Sequence, residues 1–166
     1  MGIMDSEQQN APRLNLPSFD MKIAKIEGKV KIYDLLRKKY VTLTPEEYVR
    51  QHFVNWMINH LHYPASILAN EVSIELNDTH RRCDTVVFSP GQSPLMIIEY
   101  KAPSVTVSQQ TFDQIVRYNM VLKARYLVVS NGFRHYCCAI DYTTGRYNFI
   151  PKVPEYPDIL HGSRDN

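Results

Sequence analysis

With 166 residues, 44% of them apolar and 22% charged, the chain can fill one domain with a sizeable core, which excludes disordered and fibrous classes and leaves no room for a motor or a second catalytic domain. A net charge of +2 and a pI near 8.4 permit a nucleic-acid partner without demanding one. Cys83, Cys137 and Cys138 form no C-x-x-C pair, no apolar run reaches membrane-span length and the first ten residues lack an apolar signal core, so a soluble protein of the reducing cytoplasm is expected.

In chain order, the polar stretch 1–16, with Pro12 and Pro17 about its end, predicts a flexible tail. Phe19 to Tyr33 holds two short alternating runs around Glu27-Gly28, which predicts a hairpin. Asp34 to Tyr40 predicts a short helix capped by Asp34, with Arg37, Lys38 and Lys39 on a solvated basic face. Thr44-Pro45-Glu46-Glu47 is a helix start: Thr at the cap, Pro in the first turn, Glu three residues after the cap. Val49, Phe53, Met57 and Leu61 follow at spacing four, one apolar stripe of a helix running to about His62.

Three strands are then expected, at 67–76, 82–88 and 95–100, and Ala102-Pro103 ends the last, because proline cannot donate to a central ladder. A second helix is predicted from about Ser108 to Lys123, with Phe112, Ile115, Val116, Asn119 and Leu122 inward. Tyr126 to Ser130 is apolar throughout, the pattern of a strand covered on both faces. His135 to Ile140 and Arg146 to Ile150 form a closing hairpin, and 151–166 reads as loop or disordered. Helix 108–123 is the crossover that parallel neighbours need, so the expectation is α/β: a mixed sheet with a helix on each face. The domain is assigned to 17–150.

Chemistry concentrates in Arg81 to Lys101. Side chains alternate along a strand, so Glu99 and Lys101 share a face about 7 Å apart. Four apolar residues lead into this pair, which therefore emerges from the core at a strand's carboxyl end. Asp84 starts the interior-looking strand beside it, where a carboxylate needs a partner. Two hard carboxylates next to an ammonium suit Mg²⁺ and phosphodiester hydrolysis. The plainer readings are an exposed ion pair for Asp84 and a self-satisfied pair for Glu99 and Lys101. Gln114 and Tyr118 lie one turn apart on the second helix and could face the same spot or merely cover its rim. Glu71 and Glu47 are candidates to complete the carboxylate set, although a capping box accounts for Glu47. Arg37, Lys38, Lys39, Arg50, Arg81 and Arg82 are candidate phosphate contacts. There is no H-x-x-x-H pattern, no P-loop and no G-x-S-x-G elbow, so zinc, ATP and serine chemistry have no support.

With D…E-x-K on adjacent strands between two helices, the chain resembles the PD-(D/E)XK nuclease superfamily. LTPEEYVRQ, RRCDTVVF, IIEYKAPSV, FDQIVRYN and YLVVSNG, in that order, are similar to the N-terminal domain of type I restriction endonuclease R subunits, in a short stand-alone form. The resemblance implies a restriction-endonuclease-like three-layer α/β/α fold with two main helices flanking the sheet. It further implies Asp84 and Glu99 as Mg²⁺ ligands with Mn²⁺ as substitute, Lys101 as the catalytic lysine, Gln114 and Tyr118 as a Q-x-x-x-Y motif, and Glu47 as the helix acid. Cys83 stands where the superfamily pattern has proline. DNA is the implied substrate, though nothing in the residues separates it from RNA, and a restriction-modification or helicase partner would supply the missing motor. The alternative expectation is a nucleic-acid-binding or partner-binding module that keeps the fold without turnover.

Overall fold

The computed structural model describes residues 11–162. Two sheets form. The smaller is an antiparallel meander of β1 (Ile23–Ile26), β2 (Lys29–Asp34) and β3 (Lys39–Thr42). The larger has six strands in chain order: β4 (Leu68–Leu76), β5 (Thr79–Phe88), β6 (Pro94–Tyr100), β7 (Tyr126–Ser130), β8 (His135–Asp141) and β9 (Arg146–Ile150). Every adjacent pair is antiparallel except β6 and β7. The single parallel step is bridged by α2 (Gln109–Asn119), as a parallel connection requires. With α1 (Pro45–Asn59) and α3 (Tyr156–Gly162) the fold is α/β, a mixed six-stranded sheet with three α-helices among the described residues. None of these helices is long and apolar enough to cross a membrane.

The alternation of β6 sorts the core into two layers. Met96, Ile98 and Tyr100 join Val49, Phe53 and Met57 of α1. Ile97 points the other way and packs with Phe112 and Val116 of α2, together with Leu127 and Val129 of β7. β7 is buried at all five positions, as its continuous apolar run predicts. Thr44 caps α1 by accepting from the Glu47 N–H at 3.1 Å, and Ser108 caps α2 by accepting from Thr111 N–H at 3.1 Å.

Three expectations fail. Asp34 to Tyr40 is a turn leading into β3, not a helix: Asp34 Oδ1 accepts from Leu36 N–H at 2.8 Å, which closes a tight turn rather than capping a helix. The C-terminal stretch is not all loop. α3 begins with Tyr156 N–H donating to Leu61 C=O at 2.9 Å, and Ile159 of the helix and Val153 ahead of it are buried in the α1-side core. Pro157 is tolerated there because the first turn of a helix has no intrahelical use for its N–H. The expected flexible tail 1–16 lies outside the described residues up to 10, and residues 11–16 pack: Leu14 is buried, and Asn15 N–H donates to Gly132 C=O at 2.9 Å.

Gly132 has φ +89°, and a Cβ there would come within 2.7 Å of a Leu14 methyl. Gly132→Ala is therefore expected to cost about 1–3 kcal/mol, from left-handed strain plus displacement of Leu14. A urea midpoint equal to that of wild type would refute this packing of residues 11–16.

Candidate active site

β5 and β6 pair at Val87–Met96, Val86–Ile97 and Thr85–Ile98, and the pairing stops there. The next residues on the two strands are Asp84 and Glu99, so both stand where the strands part. The Tyr100 N–H, freed from the ladder, donates to Asp84 Oδ2 at 2.9 Å and draws that carboxylate in between the strands. Glu99 follows Ile97 in the alternation and faces the α2 side, within hydrogen-bonding reach of the Asp84 side chain. Lys101, two residues on, is anchored by its N–H to Ser130 C=O at 2.9 Å, and its charge acts on Glu99.

Electrostatics make this pair unlike a surface ion pair. Burial, then the charge and hydrogen bond of Asp84, push the Glu99 carboxyl up to about 9, with Lys101 opposing the rise and Glu71 adding to it. Ionising Glu99 in a buried position beside the Asp84 carboxylate is unfavourable, which is the cause of the rise. Cys83, where the superfamily pattern has proline, is fully buried beside them. Burial and the two carboxylates push its thiol up to about 12, so it stays protonated and offers no thiolate ligand.

The other candidates are placed differently. Glu47 is 4% exposed and does not reach back to complete a capping box. Its Oε1 accepts from Arg37; its Oε2 accepts from Gln51 at 3.1 Å and lies 3.1 Å from Arg50 Nε, an ion pair without hydrogen-bond alignment. Both Glu71 oxygens are likewise taken, one by Arg50 at 2.6 Å and the other by Arg82 at 2.9 Å. Burial would raise the Glu71 carboxyl, but Arg50 and Arg82 hold it below the ordinary value. In this structure the oxygens of both glutamates are turned to these partners and not to the Asp84–Glu99 pair. Among the described residues no group of three or more His, Cys, Asp and Glu side chains forms a metal cage.

Gln114 and Tyr118 share the outward rim of α2, both exposed, and neither side chain hydrogen-bonds to the carboxylate pair. Arg81 covers Tyr118 instead, its guanidinium 4.3 Å from the ring centre and its Nε donating to the Tyr118 C=O at 2.6 Å. Of the basic residues, Lys38, Lys39 and Arg82 are exposed. Arg37 and Arg50 are not phosphate contacts, since Arg37 is paired with Asp34 and Glu47, and Arg50 is 6% exposed inside the protein.

Arg50 is the site residue that sequence reasoning misplaced. Its NH1 donates to the Asp84 C=O at 2.9 Å and its guanidinium lies 5.7 Å from the centre of the Tyr100 ring. The helix spacing Glu47-x-x-Arg50 was the available signal, because residues three apart share a face. A polar chain was missed too: Tyr100 OH donates to Thr85 Oγ1 at 2.9 Å, Thr85 donates to Asn70 at 2.7 Å, and Asn70 donates to Asp34 at 3.0 Å.

A hard dication fits the Asp84–Glu99 pair. Mg²⁺ is commonly held by one or two carboxylates, with water and substrate phosphate filling its other positions. The raised Glu99 carboxyl marks a place where the Lys101 charge offsets the carboxylates only in part and a dication would offset the rest.

Comparison with known proteins agrees in kind. The family model described as type I restriction enzyme R protein N terminus matches residues 45–154, which include α1, the whole six-stranded sheet and every candidate catalytic and metal-ligating residue. A solved fragment assigned as the HsdR subunit of a type I restriction enzyme from Vibrio vulnificus is similar at 18% identity and a TM-score of 0.49. That match covers 72% of this chain and 26% of the other, so the chain spans about a quarter of that fragment's length. No curated protein sequence matches. On the extent of the family match, the chain belongs to the type I restriction enzyme R protein N-terminal family.

Proposed function

We propose that this chain is a Mg²⁺-dependent DNA endonuclease of the restriction-endonuclease-like, three-layer α/β/α fold, acting in the cytoplasm and able to use Mn²⁺ in place of Mg²⁺. The observation that carries the reading is the Asp84–Glu99 pair, two carboxylates within hydrogen-bonding reach of each other where β5 and β6 part, with the Lys101 charge acting on Glu99. Asp84 and Glu99 would hold the ion. A bound Mg²⁺ would polarise the scissile phosphate and acidify a water.

The remaining work falls to this chain's own groups. Tyr100 N–H fixes the Asp84 carboxylate in the cleft. Lys101, as an ammonium, orients the attacking water by donating a hydrogen bond to it and offsets charge on the phosphate. Gln114 and Tyr118, exposed on the α2 rim, contact substrate from above. Arg81, Arg82, Lys38 and Lys39 supply phosphate contacts, which position DNA without reading its sequence. A restriction-modification or helicase partner supplies targeting.

The test is cleavage of supercoiled and linear DNA, with an RNA arm, in Mg²⁺ or Mn²⁺. Lys101→Ala and Glu99→Ala are each expected to slow cutting by about 100-fold or more. Cutting that persists unchanged in both would remove the assignment. Binding without cutting by the wild type would favour the non-catalytic module.

A further inference from the structure

We propose that Arg50 and Glu71 form a two-pronged clamp that aims Asp84 into the site, which makes both positioning residues and Glu71 no ligand. The clamp goes beyond the nuclease reading, and only its catalytic consequence rests on that reading.

Glu71 and Asp84 face each other across β4 and β5 between the paired residues Asn70–Thr85 and Val72–Cys83, and are not themselves paired. Glu71 sits there at φ +55°. For a residue with a side chain inside a strand that conformation is strained and persists only where the surroundings over-determine it. Arg50 and Arg82 do so by holding one Glu71 oxygen each. The same Arg50 guanidinium uses its other terminal nitrogen on the Asp84 C=O. One planar, buried fork therefore ties the left-handed kink of β4 to the backbone of Asp84.

With its carbonyl held on the Arg50 side, Asp84 sends its carboxylate the other way, where Tyr100 N–H receives it and Glu99 lies in reach. Arg82 meanwhile balances Glu71, so the clamp adds no unpaired charge next to Glu99. A partner that orients a ligating carboxylate typically changes metal affinity by about 10–100-fold.

The direct readout is hydrogen exchange at the Tyr100 amide, whose acceptor is Asp84 Oδ2. In Glu71→Gln, which keeps the side-chain volume, Tyr100 exchange is expected to rise about tenfold or more while Ile98 and Val128 amides stay as in wild type. Arg50→Lys keeps the charge, but a single ammonium cannot span both acceptors, so it should loosen Tyr100 as well. An unchanged Tyr100 amide in both variants, or an equal rise at all three amides, would overturn the clamp. Calorimetry with Mn²⁺ is the second arm, with about tenfold weaker binding expected for Glu71→Gln; affinity equal to wild type would count against the clamp. A wild type that binds no Mn²⁺ would sink the nuclease reading, and the Tyr100 amide would still decide the clamp.

Discussion

Glu99→Gln is expected to stabilise the metal-free protein, by a margin that widens as pH rises. The folded-state carboxyl of Glu99 is raised to about 9 by burial and by Asp84, against 4.5 for the unperturbed group. Between these values the folded chain holds a proton that the unfolded chain releases, so unfolding becomes easier with increasing pH, by up to about 1.4 kcal/mol per pH unit. Below about pH 4.5 both states are protonated there and the wild type matches the Gln variant. Above about 9 both are ionised and the gap stops growing. The lowered carboxyls, Asp34 and Glu71, work the other way and only at acid pH, so they do not obscure this window. Urea midpoints at pH 5, 7 and 8.5 measure the effect. Parallel wild-type and Gln curves would mean that Glu99 is already ionised in the fold. Adding Mg²⁺ at pH 8.5 should raise the wild type and leave the variant unmoved, since ligand that binds only the native state stabilises by mass action. On the nuclease reading, Glu99→Gln is then expected to gain stability while losing activity, the trade expected where a buried carboxyl is kept for a function.

Most of the large sheet was legible because its signals are local. β7 is covered on both faces and reads as an unbroken apolar run, while α1 and α2 announce themselves by a Thr-Pro start and a Ser cap. The convergence of Asp84, Glu99 and Lys101 follows from strand alternation once the β5–β6 register is right, but a bulge between Val87 and Phe88, which leaves Leu95 unpaired, shifts that register by one residue, so the turn alone does not give it. What was not legible depends on partners distant in sequence. Asp34 closing a turn on Leu36 N–H uses the same side-chain chemistry as an N-cap, so the local sequence cannot separate a turn into β3 from a short helix. Arg50 has the look of a surface residue because its polar surroundings come from β4 and β5, more than 20 residues further along the chain. Prolines in 151–157 suggested a loop, yet Pro157 falls in the one helical turn that accepts it.

Asp34→Ala is expected to be the most damaging single change remote from the carboxylate pair, lowering stability by about 3–5 kcal/mol. Asp34 is 1% exposed and has both carboxylate oxygens in use, accepting from Leu36 N–H at 2.8 Å, Asn70 at 3.0 Å, and Arg37. Burial would raise its carboxyl, but Asn70 and Arg37 together hold it below the ordinary value. Its removal strands a buried amide and half-frees a guanidinium, which costs more than the pair contributes when intact. The damage also travels. Asn70 passes the connection to Thr85 and Tyr100, so the small sheet is tied through β4 and β5 to the residue whose N–H holds Asp84. At roughly 2–4 °C per kcal/mol for a chain of this size, the melting temperature should fall by about 10 °C. Asp34→Asn, which keeps an acceptor but loses the charge, should fall between. Because the folded carboxyl is depressed, the wild-type advantage over Ala is complete above about pH 3.8 and fades only as pH drops through the lower folded value. Melts followed by circular dichroism at pH 6 and pH 3 test this. A drop of less than about 2 °C at pH 6 would show that the buried network contributes shape rather than stability.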